Sequence, residues 1–237
     1  MQRYFSNQKE NNFFILSNDD SYHIIKVMRM NKSDSIEIIY NEKLYICEIE
    51  ELNNPIKARI IEEKDDYNEL GVKVIICQAL VNEQKMDLIL QKSTELGMSE
   101  FYPCKMRNCV IKENEKSNKK ILRWQKICQE ASEQSKRNII PIVHDIVDIK
   151  GLCKINGDLK ILCTVNSSTQ NIKKVLSSSK KCDTIIIVIG PEGGFKEDEE
   201  KILMENGYIP SSLGKRVLRT ETASISILSM INYEWMV

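Results

Sequence analysis

Two segments in the last quarter of the chain carry residue types that could bind and act on a small molecule. The first, Gly190-Pro191-Glu192-Gly193-Gly194, ends an apolar run that covers residues 185–189. Glycines let bare backbone amides and carbonyls approach a ligand closely. A short β-branched run is typical of a strand buried on both faces of a parallel sheet, and ligands in open α/β sheets lie beyond the carboxyl ends of such strands. The segment therefore predicts a pocket.

The second segment, residues 213–223, places two arginines and Glu221 directly before an apolar C-terminal stretch. A guanidinium can stabilise developing negative charge, and a carboxylate can accept a proton. Taken alone, the segment also fits a helix start that Thr220 or Thr222 caps, with solvated charges beside it. Both readings stay open until the two segments are considered together.

The glycine segment does not match the common phosphate-binding motifs. No Gly-Lys-Ser/Thr follows it, and its glycines lack the spacing of the dinucleotide fingerprint. Glu192 would repel a diphosphate, so a positively charged ligand or an adenosine without phosphates fits better. S-adenosylmethionine, with its sulfonium, has both features, although a tight turn without function remains the alternative.

Composition sets limits on the class of protein. The 237 residues are 42% hydrophobic and 29% charged, which is typical of a globular protein of one large or two smaller domains. The eight cysteines are scattered without a Cys-x-x-Cys pair, which argues against a disulfide framework or a zinc site and predicts a reducing cytoplasm. No apolar run resembles a signal peptide or a membrane span. Because basic and acidic residues both number 34, any nucleic-acid contact must come from local groups of cations.

The pattern of the chain predicts two regions. Residues 1–68 indicate a small β-barrel of short strands with one helix at Asp20 to Met30, capped by Asp19 or Asp20, and a hairpin turn at residues 41–43. The polar stretch Glu62 to Glu69 is the predicted linker. From Gly71 onward strands alternate with helices, which predicts an α/β domain with a parallel sheet over residues 71–237. Its predicted strands are 72–81, 100–103, 139–143, 159–165 and 183–189, and its predicted helices are 84–96, 117–137 and 196–206.

Together the two segments resemble the signature segments of the RsmE family, ribosomal RNA small-subunit methyltransferases of the SPOUT (trefoil-knot) superfamily. The matching residues are Ile189-Gly-Pro-Glu-Gly-Gly194 and Leu213-Gly-x-Arg-Val-Leu-Arg-Thr-Glu-Thr-Ala223. The resemblance covers nearly the whole chain, including residues 1–5, 23–30, 85–97 and 124–137. The chain departs from the family at Asn41-Glu42, where Asp-Gly is usual, and at the variable stretch 162–166.

The resemblance implies a PUA-like β-barrel RNA-binding domain at 1–68 and a SPOUT α/β methyltransferase domain with a trefoil knot and a parallel sheet at 71–237. It also implies a homodimer that uses S-adenosylmethionine to methylate N3 of a uridine in small-subunit (16S) ribosomal RNA. The expectations of a cytoplasmic location and of no metal or membrane come from the cysteine pattern and the hydropathy instead. N3 lies on the Watson–Crick edge, so the target base must be unpaired when it reacts.

The resemblance also implies residue roles. Arg219 would stabilise negative charge on the uracil ring and Glu221 would accept or relay the N3 proton; alternatively, the two pair and only shape the loop. The implied cofactor-binding residues are Leu162, Thr164, Val165, Gly190, Pro191, Glu192, Gly194, Leu213, Gly214, Val217, Leu218 and Thr222. The implied RNA-binding residues are Arg3, Arg29, Lys85, Lys92, Arg107 and Arg137.

Three rival functions compete with this hypothesis. The chain could be an RNA-binding module that has lost catalysis, although both signature segments are intact. It could be a SPOUT enzyme that methylates a ribose 2′-oxygen or another base. An α/β hydrolase is disfavoured because the sequence has no Gly-x-Ser-x-Gly elbow.

Overall fold

A computed structural model of the protein describes residues 1–110, 117–165, 169–179 and 182–235. The chain divides into two compact units: Met1–Glu69 with Ser132–Ile139, here unit 1, and Leu70–Ala131 with Ile140–Val237, here unit 2. The assignment of 132–139 to unit 1 was not expected from the sequence. The division into functional domains at 1–68 and 71–237 stays a prediction.

Unit 1 is built on a six-stranded sheet, counted over the described residues, that curls into a half-barrel. Its strands are β1 Arg3–Phe5, β2 Gln8–Glu10, β3 Phe13–Ile15, β4 Ser35–Tyr40, β5 Lys43–Glu51 and β6 Lys57–Lys64. They lie in the order β1-β4-β5-β6-β3-β2, with β1 and β4 parallel and the other pairs antiparallel. Tyr4, Phe14 and Ile38 are fully buried at its centre, so this sheet has a core of its own.

The helical part of unit 1 differs from the prediction. Helix α1 (Asn18–Tyr22) begins after Ser17, whose hydroxyl accepts a hydrogen bond from the Asp20 amide at 3.0 Å. The predicted start at Asp20 and the cap by Asp19 or Asp20 were therefore wrong, because the shorter serine side chain three residues earlier fills that role. A π-helical segment, His23–Val27, follows α1 directly. The helical region therefore ends before the predicted boundary at Met30.

The connections in unit 1 are partly as predicted. Asn41 and Glu42 have φ values of 49° and 65° and join β4 to β5 as a two-residue turn, so the predicted hairpin is confirmed. The predicted linker was wrong at its start, because β6 continues to Lys64, which pairs with Leu44 of β5. The antiparallel partner strand thus keeps this polar stretch extended.

Unit 2 contains a sheet of seven strands, counted over the described residues, in which every pair is parallel. The strands are β7 Lys73–Ala79, β8 Glu100–Cys104, β9 Ile142–Val143, β10 Leu159–Cys163, β11 Gln170–Asn171, β12 Thr184–Ile189 and β13 Ile209–Ser212. Their order is β11-β13-β10-β12-β7-β8-β9. The predicted α/β class with a parallel sheet is confirmed, and the trefoil knot stays a prediction.

Helices cover both faces of this sheet. They are α2 Glu83–Glu95, α3 Ser117–Gln134, α4 Ile149–Leu152, α5 Ile172–Ser178, α6 Glu197–Glu205 and α7 Thr220–Trp235. Alternate residues of β12 face opposite layers: Ile187 packs with α2, α3, α5 and α7, whereas Val188 packs with α4 and α6. This alternation explains why the whole run 185–189 is buried. None of the described helices is long and apolar enough to cross a membrane.

Candidate active site

A cleft of about 780 Å³ opens where β10 and β12 end. Its walls come from residues 163–165 at the end of β10, from residues 189–195 at the end of β12, and from residues 212–214 and 216–220 before and at the start of α7. The two segments that the sequence singled out therefore line one cleft at the carboxyl edge of the parallel sheet. This is the position where α/β sheets bind ligands.

The glycine segment is held in place by a turn of its own and by a side chain distant in the sequence. Gly194 has φ 67° and its amide donates to the Pro191 carbonyl at 2.9 Å, which closes a turn. The side-chain amide of Asn108 donates to the carbonyls of Gly193 and Gly194, both at 3.0 Å. A Cβ atom on Gly190 would lie 2.8 Å from the ring of Phe195. The segment thus has the shape of a preformed backbone cradle.

The start of α7 is joined directly to the glycine segment. The Thr220 hydroxyl donates to the Gly190 carbonyl at 2.8 Å, while the Arg219 carbonyl accepts from the Ala223 amide at 2.8 Å in the first turn. The hydroxyl of Thr220 is therefore not the helix cap that the sequence suggested. It fixes the two walls of the cleft to each other.

Three charged side chains meet beside the cleft. The Lys85 ammonium hydrogen-bonds to Glu192 and lies 3.5 Å from Glu221 Oε2. The hydrogen bond to Glu192 holds the pKa of Lys85 above its usual value. Glu221 is 9% exposed, and its Oε2 has no hydrogen-bond partner among the described residues. Lys85 thus connects an acid of the first segment to an acid of the second.

Arg219 is exposed and lines the cleft. Among the described residues it forms no ion pair, and the ion pair of Glu221 is with Lys85 instead. The alternative in which Arg219 and Glu221 pair to shape the loop therefore does not describe this structure. The guanidinium is free to meet a ligand.

A further acid lies on the side of the cleft that α6 forms. Glu200 is 9% exposed, lines the cleft and accepts a hydrogen bond from the Thr164 hydroxyl at 2.5 Å. Thr164 is in turn fixed by its amide, which donates to the Ser211 carbonyl at 3.1 Å. The cleft therefore combines bare glycine backbone, acids and the apolar side chains of Leu213, Val217 and Leu218.

All but two of the predicted cofactor-binding residues line this cleft. The exceptions are Leu162, which is fully buried in the layer that faces α4 and α6, and Thr222, which is exposed on the first turn of α7 outside the cleft. The side chain of Leu162 points into the core because it lies within β10, one position before the strand ends. Binding by the remaining residues stays a prediction.

Comparisons with known proteins agree with this geometry. A family model described as an RNA methyltransferase domain matches residues 68–232, and one described as an RNA methyltransferase PUA domain matches residues 16–63. The ribosomal RNA small subunit methyltransferase E of Bacillus subtilis is 35% identical, over 99% of this chain and 97% of its own. This chain belongs to the RsmE family. The relationship predicted from the two segments is confirmed.

Two solved structures of proteins described as methyltransferases have the same fold. The ribosomal RNA small subunit methyltransferase E of Neisseria gonorrhoeae, solved bound to S-adenosyl methionine, superimposes with a TM-score of 0.89 at 28% identity, over 99% of this chain and 98% of its own. A methyltransferase of Legionella pneumophila, in complex with the same cofactor, gives 0.90 at 28% identity, over 98% and 97%. Both matches cover nearly the full length of each chain.

Two of the RNA-binding residues expected from the RsmE resemblance are buried. Arg3 and Arg137 are 2% and 3% exposed. Arg3 hydrogen-bonds Glu37 at 2.9 Å and Arg137 forms an ion pair with Glu69 at 2.5 Å, all within unit 1. Their guanidinium groups already have internal partners within unit 1, and RNA contact by these two residues stays a prediction.

The other four expected RNA contacts have different surroundings. Lys85 and Lys92 are partly exposed and pair with acids, Lys92 with Glu95 at 2.8 Å. Arg107 is exposed and forms an ion pair with Asp198. Arg29 is exposed with φ 52° and has no ion pair among the described residues. Of the six residues, Arg29 is the one that is both exposed and without an ion pair among the described residues, so its charge is the most accessible to RNA.

Sequence reasoning missed three residues that shape this RsmE cleft: Gln78, Asn108 and Glu200. Gln78 interrupts the apolar strand β7 near its carboxyl end, and a buried polar residue at that position was a signal of function. Glu200 lies among the acids of the charged helix α6, where periodicity alone does not separate a cleft acid from a solvated one. Asn108 follows no pattern in the sequence that would reveal its role.

Proposed function

We propose that this protein transfers the methyl group of S-adenosylmethionine to N3 of a specific uridine in the 16S ribosomal RNA of the small subunit. The coarser activity, methylation of small-subunit ribosomal RNA with this cofactor, follows from its membership of the RsmE family. The observation that carries the proposal is the meeting of both RsmE segments in one preformed cleft. The position N3 rests on the family resemblance.

The residues of the cleft fit S-adenosylmethionine. A volume of about 780 Å³ lies within the range of small-molecule sites. The backbone of Gly190, Gly193 and Gly194 can approach an adenosine, and the apolar side chains of Leu213 and Leu218 can pack against it. Acids near the glycine segment favour a cationic ligand over a phosphate, in agreement with the sulfonium.

Bound S-adenosylmethionine supplies an activated methyl group, so the residues of the chain must orient the uridine and handle one proton. Methyl transfer needs the nucleophile close to the methyl and in line with it, and such positioning accounts for a large part of catalysis. As the N3 proton leaves, negative charge gathers on the uracil oxygens, and Arg219 would stabilise it from the wall of the cleft. The carboxylate of Glu221, whose Oε2 lies 3.5 Å from Lys85 Nζ without accepting a hydrogen bond among the described residues, would accept or relay the proton.

A surface of unit 1 has the properties needed to hold unpaired RNA. Tyr22 and Val27 are 61% and 59% exposed, and the neighbouring Lys26 and Arg29 are exposed without an ion pair among the described residues. Bases of single-stranded RNA stack on aromatic rings while cations neutralise the phosphates. We therefore propose that this surface docks RNA in unit 1.

The proposal includes a homodimer in a reducing cytoplasm, without a metal. All eight cysteines are free thiols, which is consistent with such a compartment. Among the described residues no group of three or more His, Cys, Asp or Glu is arranged around a metal position. The dimer rests on the family resemblance, and light scattering of the purified protein at several concentrations tests it.

The activity is tested with isotopically labelled S-adenosylmethionine. Small subunits and naked 16S RNA, both prepared from cells that lack the modification, are offered as substrates in parallel. We expect label to enter the RNA of the subunits, and Arg219→Ala to abolish most of the transfer. Cofactor binding without transfer to either substrate would favour the rival RNA-binding module.

A further inference from the structure

Gln78 is a fully buried polar residue that the mechanism above does not use. It lies in β7 opposite Ile189 of β12, at the edge of the sheet where the cleft opens. Its side-chain amide nitrogen donates to the Thr220 hydroxyl oxygen at 2.8 Å and to the Ala79 carbonyl at 3.1 Å. Its amide oxygen accepts from the Ser224 hydroxyl at 2.7 Å. A buried polar side chain with every donor used indicates a constrained position.

Only one orientation of this amide satisfies its neighbours. Exchanging the nitrogen and the oxygen would place two carbonyl oxygens, those of Gln78 and Ala79, at 3.1 Å from each other. The Thr220 hydroxyl would then turn towards Gln78 and leave the Gly190 carbonyl, 2.8 Å away, without that donor. The protons therefore run in one direction, from Ser224 to Gln78, from Gln78 to Thr220, and from Thr220 to Gly190.

This directed chain connects the sheet to both walls of the cleft. Gly190 is the first residue of the glycine segment, and Thr220 lies between Arg219 and Glu221. Because the Thr220 hydroxyl has a single proton, an acceptor in place of the Gln78 amide nitrogen would compete with the Gly190 carbonyl for that proton. The amide nitrogen only donates, so it leaves the Thr220 proton to Gly190.

We infer that Gln78 is a positioning residue: its amide fixes the direction of the hydrogen-bond chain that holds the glycine segment and the Arg219–Glu221 segment at the spacing the cofactor requires. The inference rests on the proposed function, since it concerns the same cleft. It predicts that affinity for the cofactor depends on the direction of the protons as well as on the size of the side chain at 78.

Gln78→Glu tests this direction with almost no change of shape. A buried carboxyl has a raised pKa. Below that pKa the carboxyl can donate to Thr220 and accept from Ser224, although its single proton leaves the Ala79 carbonyl without the second donor of the amide. Above that pKa the carboxylate only accepts, and it competes with Gly190 for the Thr220 proton. We expect calorimetry to show S-adenosylmethionine binding about tenfold to a hundredfold weaker than in the wild type at high pH, with the difference shrinking as pH falls.

The control is Ile76→Val, which removes a methylene-sized group from a fully buried position two residues earlier in β7. It lowers stability without touching the hydrogen-bond chain, so its affinity ratio to the wild type should not vary with pH. The inference would be overturned if the affinity of Gln78→Glu relative to the wild type did not vary with pH. It would also be overturned if Gln78→Glu bound the cofactor no more weakly than Ile76→Val does.

A second pair of variants serves if Gln78→Glu does not fold. Thr220→Val keeps the shape but removes the hydroxyl, whereas Thr220→Ser keeps the hydroxyl. We expect the valine variant to bind the cofactor at least about tenfold more weakly than the serine variant, because only the latter can donate to Gly190. Equal affinities would contradict the chain. The readout is cofactor binding, so the two proposals can fail separately. A wild-type protein that binds the cofactor but methylates another position leaves the inference about Gln78 standing. A wild-type protein that binds no cofactor refutes the proposed function itself.

Discussion

At the scale of single residues, the charged groups beside the cleft differ in their hydrogen-bond and ion-pair partners. Glu192 is hydrogen-bonded to Lys85, Glu221 is buried 3.5 Å from the same ammonium, and Arg219 is exposed to the cleft. Lys85 contacts both acids, whereas Arg219 has no ion pair among the described residues and is the charge that a substrate can recruit. Cofactor contact by Glu192, and a role of Arg219 and Glu221 in the chemistry of the uracil ring, stay proposals.

Arg219→Ala should slow methyl transfer and leave cofactor affinity nearly unchanged. Removing a donor that stabilises developing negative charge lowers the rate by about a hundredfold to a thousandfold. Single-turnover kinetics and calorimetry measure the two quantities separately. Lys215→Ala, which removes an exposed cation four residues earlier that does not line the cleft, is the matched control. Turnover that survives in Arg219→Ala would remove the catalytic assignment.

Glu221→Gln should change the pH dependence as well as the rate. Loss of a general base lowers the rate by about a hundredfold to ten-thousandfold. The residual rate should rise with pH wherever solvent hydroxide takes over removal of the N3 proton. Glu192→Gln is the comparison, because it removes the other acid that Lys85 contacts and should weaken cofactor binding instead. Parallel pH–rate profiles for Glu221→Gln and the wild type would argue against a proton-transfer role.

At the scale of elements, the sequence predicted the long periodic pieces within a few residues and missed the short ones. Helix α2 and strand β12 have a clear apolar pattern and glycine boundaries, and both lie where expected. Strand β13, Ile-Pro-Ser-Ser, has no alternation and exists because β10 pairs with it. The position of the candidate site was predictable because glycines at the end of a buried strand indicate a ligand-binding site. The hydrogen bond from Thr220 to Gly190 was not predictable, because it depends on tertiary folding.

Gly190→Ala tests the fit of the glycine segment. Its Cβ would lie 2.8 Å from the Phe195 ring, and overpacking of this kind destabilises by about 1–3 kcal/mol. Gly157→Ala is the matched control, because its Cβ would lie 2.8 Å from Ile186, away from the cleft. We expect urea unfolding to show similar losses for both, and calorimetry to show weakened cofactor binding for Gly190→Ala alone. Equal cofactor affinity in the two variants would indicate that the segment does not contact the cofactor.

At the scale of the whole molecule, each unit has its own hydrophobic core, and buried ion pairs also stabilise unit 1. Arg137 and Glu69 are 3% and 6% exposed at their side chains, and the Glu69 carboxylate also accepts from the amides of Asn138 and Ile139. The sequence showed these residues only as scattered charges, because their partners lie 68 residues apart. Their burial means that a basic residue singled out from the sequence can have an internal partner.

Arg137→Met should destabilise unit 1 strongly. Removing one partner of a buried ion pair leaves an uncompensated charge, which costs about 3–5 kcal/mol. The double variant with Glu69→Gln should lose less than the sum of the two single variants, because the remaining charge is gone. Urea unfolding of the wild type, the two single variants and the double variant gives the coupling free energy between Arg137 and Glu69. If Arg137→Met were as stable as the wild type but bound RNA more weakly, the result would favour RNA contact by Arg137 over this structural role.

The central claim is the identity of the methylated atom. Small subunits that lack the modification are incubated with the protein and labelled S-adenosylmethionine, and their RNA is digested to nucleosides and analysed by chromatography and mass spectrometry. We predict that the label appears in 3-methyluridine. Label in a 2′-O-methyl nucleoside or in a methylated guanosine would contradict the account.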